Sequence, residues 1–372
     1  MKPDSILFSP IKIGKIEIPN RFVRAATHDF MAARDGSVTE RQVSLFKNLA
    51  KGEVGLIITG NASVNPAGIA SPYQTGVYAD RFIEGLSQIT GTVHKYPSRI
   101  FLQLSHAGRQ TKPKICGCRP LAPSSVYEPT FEVSPKKMNQ QEIKSVIDDF
   151  IQSGRRAKEA GFDGVELHAA HGYLLSSFIS PYTNRRKDEW GGKLTNRLRV
   201  VVRVIQGIKG LSGTEFPLLV KLNSSDFLPE GLNLDESIEV AKILEREGAD
   251  GLEVSGGMAE AGEVSVRTGL RSEGKEGYFV EDASKIKAEL SIPVFGLGGI
   301  RSLAVMEKII KEGRVDLISM SRPFIREPFL IKKFRAGEIK KSECISCNRC
   351  FNLRGISCAQ LKKKKEDERV NR

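Results

Sequence analysis

The chain has 372 residues, 40% of them hydrophobic, enough apolar content to bury a sizeable core, which excludes wholesale disorder. Mean hydropathy is -0.25, and charges, Gly or Pro break every apolar run well short of the roughly 18 residues that a membrane helix needs. The net charge of +13 is not spread along a face, as nucleic-acid binding would want: residues 332–372 carry 13 basic and five acidic side chains, or +8, leaving +5 for the other 331.

The opening Met1-Lys2-Pro3-Asp4-Ser5 lacks the basic-then-apolar pattern of a secretion signal, so the expected location is the cytoplasm. Residues Ile6 to Ile18, with Gly14 between two alternating runs, predict a short hairpin serving as a lid or plug. Short apolar runs then alternate with longer amphipathic stretches. The predicted strands are Arg21–Ala26, Gly55–Thr59, Ile100–Leu104, Gly164–Leu167, Leu218–Leu222, Gly251–Val254, Val294–Gly296 and Leu317–Met320. The predicted helices lie around Glu40–Ala50, Arg81–Val93, Gln141–Ala160, Asn196–Ile208, Asp235–Glu247, Glu281–Glu289 and Leu303–Lys311. This α/β alternation fits a (β/α)8 TIM barrel with an N-terminal β-hairpin and a C-terminal Cys-rich extension. A doubly wound sheet would want a glycine fingerprint in its first strand–helix turn, and none stands near Ala26-Thr27-His28. The expected division is a barrel over 1–331 and a basic Cys-rich tail over 332–372.

The unusual residues fall at the C-terminal strand ends, where barrels place their chemistry. Leu297-Gly298-Gly299-Ile300-Arg301 after the seventh strand and Ser321-Arg322 after the eighth suit a phosphate group, through freed backbone amides and a guanidinium. The plain alternative is two tight turns. His168 and His171, followed by Tyr173, offer two imidazoles to polarise a substrate oxygen and a phenol to deliver a proton. Metal ligation competes, without a third ligand in the motif, as does an ordinary buried histidine. Gln103 and Lys221 are expected at the barrel mouth, where an amide suits a uracil-like edge and a cation suits an anionic ring oxygen; each alone also reads as a solvated strand end. Cys344, Cys347, Cys350 and Cys358 are spaced more like a cubane iron–sulfur cluster than like zinc or free thiols. The run Lys362 to Arg369 is a charge block, expected to be a solvated end or a docking surface for an acidic electron carrier.

Together these motifs resemble the old yellow enzyme family of FMN-dependent NADH:flavin oxidoreductases, from about Leu7 to Pro328. The marks are Leu7-Phe8-Ser9-Pro10 with Asn20-Arg21, Gln103-Leu-Ser-His106-Ala-Gly-Arg109, Gly164-Val-Glu-Leu-His168-Ala-Ala-His171-Gly-Tyr173, Ser180-Pro181-Tyr-Thr-Asn184-Arg185-Arg186 and Asp188-Glu-Trp-Gly191-Gly192. The resemblance implies FMN at the mouth, its ring held by Gln103 and Lys221 with Ala26, Thr27, His28 and Asn61 beside it. Gly298, Gly299, Ser321 and Arg322 would hold its phosphate. His168 and His171 would bind the carbonyl oxygen of an unsaturated substrate, and Tyr173 would donate the proton.

The tail resembles a subgroup with a [4Fe-4S] cluster, similar to 2,4-dienoyl-CoA and 2-enoate reductases, whose further nucleotide-binding domains are expected to be missing here. Two departures from that subgroup are the seven-residue gap before Cys358 and the His-x-x-His pair, which dienoyl-CoA reductases lack. The implied activity is ene-reduction of an α,β-unsaturated carbonyl compound or enoyl thioester, with electrons from NAD(P)H or through the cluster. An amine-dehydrogenase-like flavin enzyme and an electron-transfer subunit of a larger complex are the alternatives. Neither the substrate nor the oligomeric state, a homo-oligomer included, is legible.

Overall fold

The computed structural model describes residues 5–353 and 355–363. Among them, eight parallel strands close into a barrel: β1 (Phe22–Arg24), β2 (Leu56–Ser63), β3 (Arg99–Ser105), β4 (Gly164–Ala169), β5 (Leu218–Asn223), β6 (Gly251–Ser255), β7 (Val294–Gly296) and β8 (Leu317–Met320). Their order follows the chain, with β8 pairing back onto β1. Both faces of every strand are covered, by helices outside and by side chains within. Such strands therefore read as apolar runs rather than alternating ones.

Around them lie α1 (Glu40–Lys51), α2 (Ile83–Val93), α3 (Gln140–Glu159), α4 (Leu194–Ser212), α5 (Leu234–Arg246), α6 (Val280–Lys287), α7 (Leu303–Lys311) and α8 (Leu330–Ala336). The starts of α1 and α3 are set by capping boxes, Thr39 with Gln42 and Asn139 with Glu142, in which side chains satisfy the free amides of the first turn. The predicted barrel, with its eight strands and seven helices, is therefore the observed one. β1 is shorter than expected, and its last residue, Arg24, turns inward, donating to the carbonyls of Ile58 (2.6 Å) and Thr27 (3.2 Å). The eighth strand is followed by a short helix, Arg322–Arg326, and by α8, which runs through position 331, where the barrel was expected to end.

The hairpin pairs Ile11–Ile13 with Ile16–Ile18, and Ile13 and Ile18 are fully buried. They pack with Val23, Leu56, Phe101, Leu219, Phe295 and Leu317, residues near the strand starts, so the hairpin plugs the N-terminal end of the barrel. No described helix is long and apolar enough to cross a membrane.

The tail folds back over the opposite end. Ile356 N–H donates to the Asp29 carbonyl (2.9 Å), Arg301 to the Cys344 carbonyl (2.7 Å), and Gly269 N–H to the Ser346 carbonyl (3.2 Å). The charge block expected over Lys362–Arg369 lies, from residue 364 onward, outside the described residues.

Candidate active site

At the C-terminal strand ends lies a cavity of about 270 Å³. Nine of the residues singled out in the sequence line it: Ala26, Thr27 and His28 after β1, His171 after β4, Lys221 on β5, Gly298 and Gly299 after β7, and Ser321 and Arg322 after β8. Residue positions far apart in the chain thus converge on one opening. Ser265 and Val266, from the glycine-rich stretch Gly256 to Gly277 that follows β6, form part of its lining.

The glycines are there because nothing larger fits. Gly298 has φ +123°, and a Cβ on it would come within 2.6 Å of the Tyr278 amide nitrogen. Its carbonyl accepts from the amides of Gly277 (2.7 Å) and Tyr278 (3.2 Å), lacing the turn to the neighbouring loop. Across the cavity the Thr27 and Ser321 hydroxyls share a hydrogen bond of 2.8 Å. Arg322 donates to the Arg267 carbonyl (2.8 Å) and to Asn348 Oδ1 (2.5 Å), tying the expected phosphate arginine to the tail.

The catalytic candidates form one cluster. The His168 ring stacks on Tyr173 at 4.3 Å and stands edge-on to His171 at 5.3 Å. Asn61 Nδ2 lies 3.5 Å from the Tyr173 hydroxyl. His171 sits at φ +61°, a left-handed conformation costly for a residue with a Cβ. That backbone is held by its N–H donating to Asn223 Oδ1 (3.1 Å), by Gln110 donating to its carbonyl (2.6 Å), and by the ring's Nε2 sharing a 2.7 Å bond with the Ser255 hydroxyl. Burial, reinforced by His171 and Lys221, pushes His168 well below the usual imidazole range, and burial with Lys221 takes His171 down to about 3. Both rings are neutral near pH 7. Burial holds the Tyr173 hydroxyl up at about 12, so it keeps its proton.

Gln103 and Lys221 are not solvated strand ends. Gln103 donates to Glu166 (2.6 Å) and Lys221 pairs with Glu253 (2.7 Å), on strands β4 and β6, and both carboxyls are fully buried. Sequence reasoning missed these two glutamates, although Gly164-Val-Glu-Leu and Gly251-Leu-Glu-Val repeat one pattern in which a charge interrupts an apolar strand. Burial opposes the charge on Lys221, but Glu253 and Glu166 outweigh it and raise its pKa. Burial and then Glu253 push Glu166 well above the carboxylate range, against the pull of Lys221. A raised carboxyl stabilises the fold below its unfolded pKa, and that contribution is lost as pH rises. Glu166→Gln is therefore expected to gain stability over the parent in alkaline buffer and to lose that advantage on acidification to about pH 4. Urea unfolding at several pH values measures it.

Each of the four tail cysteines is a free thiol, and they lie close enough for Cys344, Cys347 and Cys358 to reinforce the effect of burial on Cys350, whose pKa rises to about 11. Among the described residues, however, no group of three or more His, Cys, Asp or Glu side chains is arranged to hold a metal ion.

The family model described as "NADH:flavin oxidoreductase / NADH oxidase family" matches residues 6–341. The chain belongs to this family. It is a flavin-dependent oxidoreductase of the old yellow enzyme type. Similar members include an NADH oxidase of Thermoanaerobacter brockii, 39% identical over 92% of this chain and 52% of the relative. An NADPH dehydrogenase of Bacillus subtilis (strain 168) is 34% identical over 88% of this chain and 93% of that protein. The chain thus spans about half the length of the first and nearly all of the second. Among solved structures, a 2-naphthoyl-CoA reductase complex superposes with a TM-score of 0.86 at 29% identity, over 93% of this chain and 54% of that one.

The residues present fit the FMN that this family uses. Asn61 Oδ1 and His168 Nδ1 are buried with no hydrogen-bond partner, and the Gly298-Gly299 turn lines the same cavity as Ser321 and Arg322, its backbone unobstructed by side chains.

Proposed function

We propose that the protein reduces the C=C bond of an α,β-unsaturated carbonyl compound or enoyl thioester, with NAD(P)H as donor. The stacked His168–Tyr173 pair beside His171, with both imidazoles neutral and the phenol protonated, carries this reading. Gln103 and Lys221 would hold the flavin ring, Ala26, Thr27, His28 and Asn61 would flank it, and Gly298, Gly299, Ser321 and Arg322 would hold its phosphate. When bound, FMN supplies the hydride chemistry, accepting two electrons from the donor and passing them on.

The protein's own part is to bind, orient and protonate. His168 and His171 donate hydrogen bonds to the substrate carbonyl oxygen, where negative charge develops; neutral rings do so without the desolvation cost of burying imidazolium. Tyr173 delivers its proton to the α-carbon. Lys221, anchored by Glu253, keeps a cation in a water-poor site, where it counts for more than at the surface.

Tyr173→Phe is expected to leave flavin reduction by NAD(P)H intact and to slow enone reduction by about 100-fold, the usual worth of a placed general acid. Stopped-flow absorbance separates the two half-reactions, and equal oxidative rates in parent and variant would remove Tyr173 from this role. With His171 near 3 and Tyr173 near 12, neither group titrates between pH 6 and 9, so the oxidative rate gains no inflection from them.

We further propose that Cys344, Cys347, Cys350 and Cys358 ligate a [4Fe-4S] cluster. Four free thiols within one short segment, near enough to perturb one another, support it; ligation would require them to reorient and lose their protons. Anaerobically purified protein should contain about four irons and four labile sulfides per chain, and Cys350→Ser should lose them. Iron-free protein would end this part and leave the flavin reading standing.

A further inference from the structure

A second cavity, of about 390 Å³, opens beside the first. Arg34, Lys114, Tyr73 and Tyr78 line it together with Ser71 and Leu353. One wall is common to both cavities: Ser71 shares a 2.5 Å hydrogen bond with the Nε2 of His28, which lines the active-site cavity. The tail closes both, with Phe351 on the first and Leu353 on the second. Phe30 joins the parts, edge-on to His28 at 4.0 Å and to Phe351 at 6.4 Å.

The chemistry of this cavity differs from that of the catalytic one. Arg34 and Lys114 are exposed, and among the described residues neither has an ion-pair partner. The neighbouring acid, Asp35, is already taken by Arg81 (3.1 Å), with Ser37 donating to it as well. Tyr78 is held by its hydroxyl donating to the Asp35 carbonyl (3.2 Å) and by an edge-on contact with Phe82. Tyr73 adopts φ +61°, a strained backbone for an aromatic residue and one found where a site over-determines its geometry. Two unpaired cations and two tyrosine rings around one concavity suit a flat heterocycle joined to phosphate groups.

We propose that this second cavity binds the phosphorylated adenosine end of a co-substrate whose reacting end lies at His168, His171 and Tyr173. The inference rests on the reaction proposed above. Both NAD(P)H and a CoA thioester carry adenosine 5′-diphosphate, the chemistry that the cavity fits.

Isothermal titration of the FMN-loaded chain with adenosine 5′-diphosphate tests it without turnover. Binding is expected to be saturable, to weaken with added salt, and to fall at least tenfold in Arg34→Gln/Lys114→Gln. The two single variants, each expected to show part of the loss, keep the test open should the double variant misfold. In steady state, inhibition by adenosine 5′-diphosphate competitive against NAD(P)H assigns the site to the donor, and against crotonyl-CoA to the acceptor. No binding, unchanged affinity in the double variant, or competition with neither co-substrate would overturn the proposal. Because calorimetry needs no reaction, this site can fail while the Tyr173 result stands, and the reverse.

Discussion

Gly298→Ala is expected to give a folded chain that no longer retains FMN. The added methyl would sit 2.6 Å from the Tyr278 nitrogen and 2.9 Å from that of Phe279, both backbone atoms that cannot swing aside as a side chain would. It would also impose φ +123° on a residue with a Cβ, in a region reserved for glycine. Overpacking and backbone strain together cost about 3 kcal/mol or more. The turn can relieve this only by parting from the Gly277–Phe279 loop, which opens the cradle proposed for the phosphate. The flavin dissociation constant should therefore rise by roughly 100-fold or more. Fluorescence titration of the apoprotein with FMN measures it, with circular dichroism to show that the barrel remains. Tight, yellow Gly298→Ala protein would show that the phosphate is held elsewhere.

Lys221→Met acts on the interior rather than the rim. It leaves Glu253 and Glu166 fully buried with Arg24 as the remaining cation near Glu253. Removing one partner of a buried pair costs about 3–5 kcal/mol, because the other charge stays desolvated. The cost depends on pH in a definite direction. In acid Glu166 holds its proton and needs no cation, so the variant approaches the parent as pH falls. As pH rises the deficit grows, since Glu166, already raised by burial and by Glu253, is pressed to ionise without compensation. Urea unfolding at pH 5 and pH 8 should show a larger difference at pH 8. An equal difference at both would mean that the lysine's packing, not its charge, matters.

These two sites differ in how far the sequence discloses them. The Gly-Gly after a β-type run is visible because a turn that admits only glycine leaves a compositional mark. The strands were legible for a similar reason: a strand covered on both faces is mostly apolar, and the runs Leu218-Leu219-Val220 and Leu317-Ile318 read that way. The glutamates were not, because a carboxylate inside a strand announces a buried partner without saying which. Only the register of neighbouring parallel strands brings Glu253 level with Lys221, and Glu166 level with Gln103. The path of the tail was equally hidden. Its contacts with Arg301, Asp29 and Arg322 are scattered hydrogen bonds across long sequence separations, with no periodicity to reveal them. The short helix Leu174–Ile179 escaped notice because all six of its residues are buried, which removes the polar face that marks an amphipathic helix.

The isoleucine hairpin has a kinetic corollary. It closes one end of a barrel whose interior is already filled by side chains, which leaves the cavity at the C-terminal strand ends, where the tail contributes Phe351. In the reaction proposed above, NAD(P)H and the unsaturated substrate both arrive over this one cavity. Two visitors that share one doorway take turns, so the order of events, one leaving before the next is seated, is already written into the closed floor.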